Sequence, residues 1–226
     1  YLPFNAPHSA SNFDKGGVQA PDDFIRKYPE MDPKGKLTAY YAAVTAMDAA
    51  IGEVLAAVKE VGQESNTLFL FLSDNGGSGN GGNAPLRGQK STMWEGGLRV
   101  PFVAWWPGRL PAGVVTDEFL TSLEIFPTLA AISGAKVPAG LELDGFDLLP
   151  VLRGERKSPR QEMFWERRND RAARVAEAPV ANHRAEFRVT GLTPGFHTFF
   201  ARAELPGGHG ELSRPVSVLV RPAGRQ

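Results

Sequence analysis

The chain has 226 residues, 42% hydrophobic and 22% charged, with 25 Lys plus Arg balanced by 25 Asp plus Glu. That suits a globular chain long enough for one large domain or a domain plus a module. Zero net charge argues against nucleic acid or an anionic membrane as the main partner, since both select a basic excess, and the lack of Cys excludes disulfides and thiolate metal sites.

Residues 1–8, "YLPFNAPH", carry no initiator Met, basic region or cleavage motif, so they do not read as a signal peptide. They read as the end of a buried strand running into a loop, and the expectation is a fragment of a longer protein. Residues 9–35 are loop-rich, punctuated by Pro21, Pro29 and Pro33. From Lys36 the apolar positions 37, 40, 41, 44, 47, 51, 54, 55, 58 and 61 mark one helical stripe, with Gly62 placed to cap it. No continuous apolar run is long enough to suggest a membrane span. The apolar run at 67–73, "TLFLFLS", predicts a strand covered on both faces, and "PFVAWWPG" (101–108) a second. Residues 117–134 have a helical pattern, broken or kinked near Pro127 and stopped at Gly134. Alternation of strand and helix predicts an α/β sandwich with a mainly parallel sheet.

Beyond about Arg174 the pattern changes to period two between Gly/Pro turns, with strands expected at 186–190, 197–204 and 215–220. The expected organisation is a first domain over 1–172, a linker over 173–183 and a small β-sandwich-like module over 184–223.

Three places could carry chemistry. Asp74 and Asn75 follow the strand 67–73, and ligands gather at the carboxyl ends of strands in open α/β sheets. A carboxylate and an amide oxygen suit a hard cation such as Ca²⁺ or Mg²⁺, although Asp-Asn-Gly-Gly is equally a plain turn sequence. A glycine-rich tongue follows (Gly76, Gly77, Gly79, Gly81, Gly82), and Lys90 stands at its far end with Arg87 and Arg99 nearby. A lysine ammonium is a good point-charge partner for a tetrahedral oxyanion. His8 follows the first expected strand, at the level of Asp74 if both strands share one parallel sheet. His183, His197 and His209 read as surface or strand residues.

Taken in order, "YLPFNAPH", "YYAAVTAMDAAIGEVL", "FLFLSDNGG", "LRGQKSTMWEGGLRVPFVAWWPG", "TSLEIFPTLAAISG" and "LDGFDLLPVLRGE" resemble the later part of the catalytic domain of arylsulfatase-type sulfatases, in the alkaline-phosphatase superfamily. The resemblance covers roughly residues 1 to 167. It implies an alkaline-phosphatase-like α/β fold and hydrolysis of sulfate esters. Asp74 and Asn75 match calcium ligands, Lys90 matches a lysine that binds the sulfate group, and His8 matches a histidine near the leaving group that is a candidate general acid. Gly96, Gly97 and Arg99 match a block that supports the Lys90 loop. The family's nucleophile is a formylglycine made from Cys or Ser in C/S-x-P/A-x-R. This chain has no Cys, and "SPRQE" and "SRPVS" do not fit. The implied substrate is a sulfated small molecule or sulfated glycan, and the implied location periplasmic or secreted. A related phosphatase or phosphodiesterase, or a non-catalytic glycan-binding scaffold, are the competing readings. The tail is similar to the last strands of fibronectin type III or Ig-like modules.

Overall fold

The computed structural model describes residues 1–10, 17–28, 36–167, 170–174, 195–199, 202–205, 208–212 and 216–220. The chain divides into two units, Tyr1–Lys157 and Ser158–Gln226.

In the first unit, residues 1–5 form no strand, and Tyr1, Leu2 and Phe4 are exposed. No strand forms there, since among the described residues none pairs with that backbone; Leu2, Pro3 and Phe4 instead line a groove with Ala50, Val54 and Ala57. A short helix α1 (Asp22–Ile25) follows Pro21 and has two acids in its first turn, where the helix dipole favours negative charge. Helix α2 (Lys36–Glu60) forms where the periodicity predicts it, although its buried residues, Thr38, Ala42 and Ala43, lie beside the expected stripe and Tyr41 on that stripe is exposed. It ends as Gly62 reaches φ +68°, with Gly62 N–H donating to Lys59 O and Gln63 N–H to Val58 O. Those two bonds satisfy carbonyls that the helix end would otherwise leave open. Ala42 and Ala43 are buried, and Tyr28 beyond α1 hydrogen-bonds Thr45 at 2.7 Å while stacking on Tyr41. By length and composition alone, α2 could cross a membrane, with a mean hydropathy of 1.4 over 18 residues. A helix that packs in a protein core meets the same criterion.

Strands β1 (Phe69–Leu72) and β2 (Phe102–Trp105) form where the apolar runs predict them. They pair with each other antiparallel, Phe69 opposite Trp105 and Leu72 opposite Phe102, which corrects the mainly parallel sheet expected from the sequence. The physical reason lies in the connection: residues 73–101 fold back on themselves and return the chain beside the end of β1, as in any antiparallel neighbour pair. Nor are these strands covered on both faces, since Phe71, Val103 and Trp105 are exposed. Between them lies one turn of helix, α3 (Glu95–Leu98).

The predicted 117–134 helix begins later, at a 3-10 turn over Ser122–Glu124 that runs into α4 (Ile125–Ser133). Thr121 starts it through a capping box, its hydroxyl accepting from Leu123 N–H at 3.3 Å while the Glu124 carboxylate accepts from Thr121 N–H. Pro127 stands in the first turn of α4, where its missing N–H breaks no helical bond, so the helix is continuous there. Gly134 ends it at φ +70°. The fully buried Thr128 hydroxyl donates to Glu124 O at 2.6 Å and accepts from Leu148 N–H at 2.8 Å. That pair of bonds ties α4 to α5 (Leu149–Leu152), where Leu148, Leu149 and Val151 are buried.

The second unit contains β3 (Met163–Arg167) and β4 (Asp170–Arg174), an antiparallel pair that the sequence reading did not anticipate. Then come β5 (Gly195–Phe199), β6 (Arg202–Leu205), β7 (Gly208–Leu212) and β8 (Val216–Val220). Among the described residues, β5 pairs with β8 and β6 with β7, as separate two-stranded antiparallel pairs. The strand expected at 197–204 is two strands, 215–220 corresponds to β8, and 186–190 lies outside the described residues. A sandwich needs sheets broad enough to stack; two-stranded pairs do not make one. The Ig/fibronectin III-like module is therefore not supported. His197 lies in β5 and His209 in β7, whereas His183 lies outside the described residues.

Candidate functional site

The tongue between β1 and β2 is a closed, hydrogen-bonded loop. Its glycines provide room for backbone to meet backbone. Gly76, Gly96 and Gly97 are buried, with Gly76 N–H donating to Gly97 O at 3.0 Å and Gly96 N–H to Arg87 O at 2.7 Å. A Cβ on Gly76 would overlap the Gly96 carbonyl, and one on Gly97 would overlap the Thr92 carbonyl. Only glycine permits so close an approach. The first half of the tongue is held at Asn80, whose Nδ2 donates to Lys36 O at 2.9 Å at the start of α2. Asn83 holds the middle. Its Oδ1 accepts from Gly77 N–H at 2.8 Å, and its Nδ2 donates to Gly77 O at 2.8 Å and to Gly88 O at 3.2 Å. Arg87 stacks over the Trp94 ring at 3.8 Å.

Asp74 and Asn75 leave β1 in a tight bend. Asp74 is exposed and Asn75 half-buried; Asn75 N–H donates to Asp74 Oδ1 at 2.9 Å, and Ser73 Oγ donates to Asn75 O at 2.9 Å. Asn75 Nδ2 donates to Gly76 O at 3.3 Å, which orients the amide so that its Oδ1 is available as an acceptor. Two hard oxygens from adjacent residues fit a calcium ion in type but fall short of the six to eight it takes. Among the described residues, no group of three His, Asp or Glu side chains is placed to hold a metal.

Lys90 returns to this bend through its backbone, its N–H donating to Gly77 O at 3.0 Å. Its Nζ stands 3.5 Å from His8 Nε2, across 82 positions of sequence. His8 sits in a turn, with its N–H on Asn5 O at 2.7 Å and its Nδ1 beside Ser9 O at 2.8 Å. The carbonyl oxygen can only accept, so Nδ1 carries the hydrogen. In the neutral ring Nε2 is then an acceptor facing the lysine ammonium. At 3.5 Å that contact is long for a hydrogen bond, and an anionic oxygen beside the pair can accept from the ammonium. Ser91, next in the chain, has φ +75°, the left-handed conformation that non-glycine residues rarely adopt. Backbone strain of this kind gathers at ligand-handling loops.

The structure thus brings His8 and Lys90 together without the strand expected before His8, and it links Lys90 to the Asp74–Asn75 bend through Gly77. Gly96 and Gly97 pack under the loop, whereas Arg99 faces Glu95 at 3.9 Å and Asp117 at 3.7 Å. Sequence reasoning missed Asn83, whose only signal was an Asn two residues before Pro85 in a glycine-rich stretch.

Comparison with models of known families matches residues 1–135 to the sulfatase family, and residues 88–183 to the family described as N-sulphoglucosamine sulphohydrolase, C-terminal. Human arylsulfatase A is 45% identical over 124 residues, 53% of this chain and 24% of that protein. Rat steryl-sulfatase is 34% identical over 198 residues, 83% of this chain and 33% of that protein. Among solved structures, Ps i-CgsB in complex with k-i-k-neocarrahexaose superposes with a TM-score of 0.63 at 33% identity, over 70% of this chain and 36% of that one. The chain spans about a quarter to a third of the length of these curated relatives.

Proposed function

The chain belongs to the sulfatase family, and from that premise we propose that it supplies part of a site that hydrolyses sulfate esters. The single observation that carries this reading is the approach of Lys90 Nζ to His8 Nε2 at 3.5 Å, with the Lys90 N–H bonded to Gly77 O two residues beyond Asn75. A sulfate ester presents negatively charged non-bridging oxygens and a bridging oxygen that gains charge as the S–O bond breaks. Lys90 donates to the former. His8, when protonated at Nε2, donates its proton to the bridging oxygen and leaves as the neutral ring, with Ser9 O still holding Nδ1–H. Fixed donors aimed at developing charge are the main lever a protein has on such a reaction.

Asp74 and Asn75 fit as two oxygen ligands of a calcium ion, whose chemistry there would be charge neutralisation of the sulfuryl oxygens. Among the described residues no third His, Asp or Glu joins them. The 226 residues contain no Cys, and no Ser stands in the context from which a formylglycine is made. The likeness to a protein solved with an oligosaccharide, k-i-k-neocarrahexaose, supports a sulfated glycan as the substrate class.

The test is calorimetric titration of the chain with 4-nitrophenyl sulfate and, in parallel, 4-nitrophenyl phosphate. The expected outcome is weak binding of the sulfate ester that falls at least tenfold in Lys90→Ala. Equal affinity in Lys90→Ala contradicts the reading, and a marked preference for the phosphate ester favours a phosphatase.

A further inference from the structure

One side chain bonds to both arms of the loop that carries the candidate site. The carboxamide of Asn83 engages the N–H and the C=O of Gly77, each at 2.8 Å, much as a neighbouring strand would, and it also reaches Gly88 O at 3.2 Å. Gly77 lies two residues after Asn75, and Gly88 two residues before Lys90. The same Gly77 carbonyl accepts the Lys90 N–H at 3.0 Å. The Asn83 side chain thus sits at the crossing of the two arms, one leading from the oxygen pair and the other to the ammonium.

A turn-forming role alone does not account for these bonds. The turn at Asn83 closes through its main chain, with Leu86 N–H donating to Asn83 O at 2.7 Å, and leaves the carboxamide unused. The three side-chain bonds run to the far arms instead. They require an acceptor and a donor on one short side chain, and only Asn has both at that length. Asp keeps the size and the acceptor but loses the donors, so its carboxylate would face the Gly77 and Gly88 carbonyls across two unmade bonds.

We propose that Asn83 is a positioning residue, which fixes Lys90 relative to His8 and to the Asp74–Asn75 bend by bridging Gly77 and Gly88. Its effect on ligand binding rests on the sulfate-ester reading above; its effect on the loop does not. The experiment is residue-resolved amide hydrogen exchange on the 226-residue chain and on Asn83→Asp and Asn83→Ala, joined to 4-nitrophenyl sulfate titrations of Asn83→Ala, Lys90→Ala and the double variant. The Lys90 amide is expected to exchange at least tenfold faster in both Asn83 variants, with the amides in the middle of α2 unchanged. Sulfate-ester affinity is expected to fall several-fold in Asn83→Ala and to fall no further when that change is added to Lys90→Ala, because a positioning residue acts only through the group it positions.

Unchanged exchange at Lys90 overturns the proposal, and so do additive effects in the cycle. Should Asn83→Ala fail to fold, the equal-sized Asn83→Asp decides the exchange question. If the parent chain binds no sulfate ester, the functional reading fails, while the exchange result still decides whether Asn83 sets the loop.

Discussion

Lys90 Nζ stands 3.5 Å from His8 Nε2, a separation at which one oxyanion can lie against both side chains. Asp74 and Asn75 come three and two residues before Gly77, whose carbonyl accepts the Lys90 N–H. We predict that calcium stabilises the chain and that Asp74→Ala abolishes the effect. At a calcium concentration a hundredfold above the dissociation constant, the gain is about 2.7 kcal/mol, read as a rise in Tm that the variant lacks. An equal rise in the variant would place the ion elsewhere. These four residues could be named as candidates from the sequence because each is a chemically distinctive side chain in a recognisable block. Asn83 was not. An Asn in a turn is ordinary, and its three partners are backbone groups of glycines, which leave no mark in a sequence except the glycines themselves.

At the scale of elements, local signals read well and pairing read poorly. The apolar stripe and Gly62 marked helix α2 and its end, and Gly134 marked the end of α4, because the periodicity and the positive φ are both properties of a few neighbouring residues. The direction of β1 against β2 is different. An apolar run states that a strand forms; its direction depends on where the intervening loop returns, and that followed from contacts such as Gly76 on Gly97. The tail failed for the same reason, since period-two alternation predicts strands without predicting how many share a sheet. The bond between Thr128 and Leu148 offers a test of packing at this scale. Thr128→Val keeps the shape and removes the hydroxyl, leaving the buried Leu148 N–H without its acceptor. The expected loss is about 1–3 kcal/mol, measured by denaturant unfolding. A neutral substitution would mean that this bond does not join α4 to α5.

For the whole molecule, the exposed apolar side chains carry the main consequence. Phe71, Val103 and Trp105 on the β1–β2 pair and Phe126, Leu129 and Ile132 on α4 all face solvent in the first unit. A two-stranded sheet with such faces and open edges invites pairing with another chain. We expect the purified 24.4 kDa chain to self-associate in light scattering after size-exclusion chromatography, and a clean monomer at tens of micromolar would count against this. We also expect no turnover of an aryl sulfate with calcium present, because the 226 residues hold no Cys and no Ser in C/S-x-P/A-x-R. Turnover above blank would show that another group in the chain attacks sulfur.

Sulfate and calcium are expected to bind where the loop brings these side chains together. Two-dimensional amide and side-chain NMR of the chain, titrated with sodium sulfate with and without calcium chloride, reads this residue by residue. Calcium should shift the signals of residues 74–77, and sulfate those of Lys90 and His8, with the sulfate shifts lost in Lys90→Ala. Shifts confined to other parts of the chain, or sulfate shifts that persist unchanged in Lys90→Ala, would contradict it.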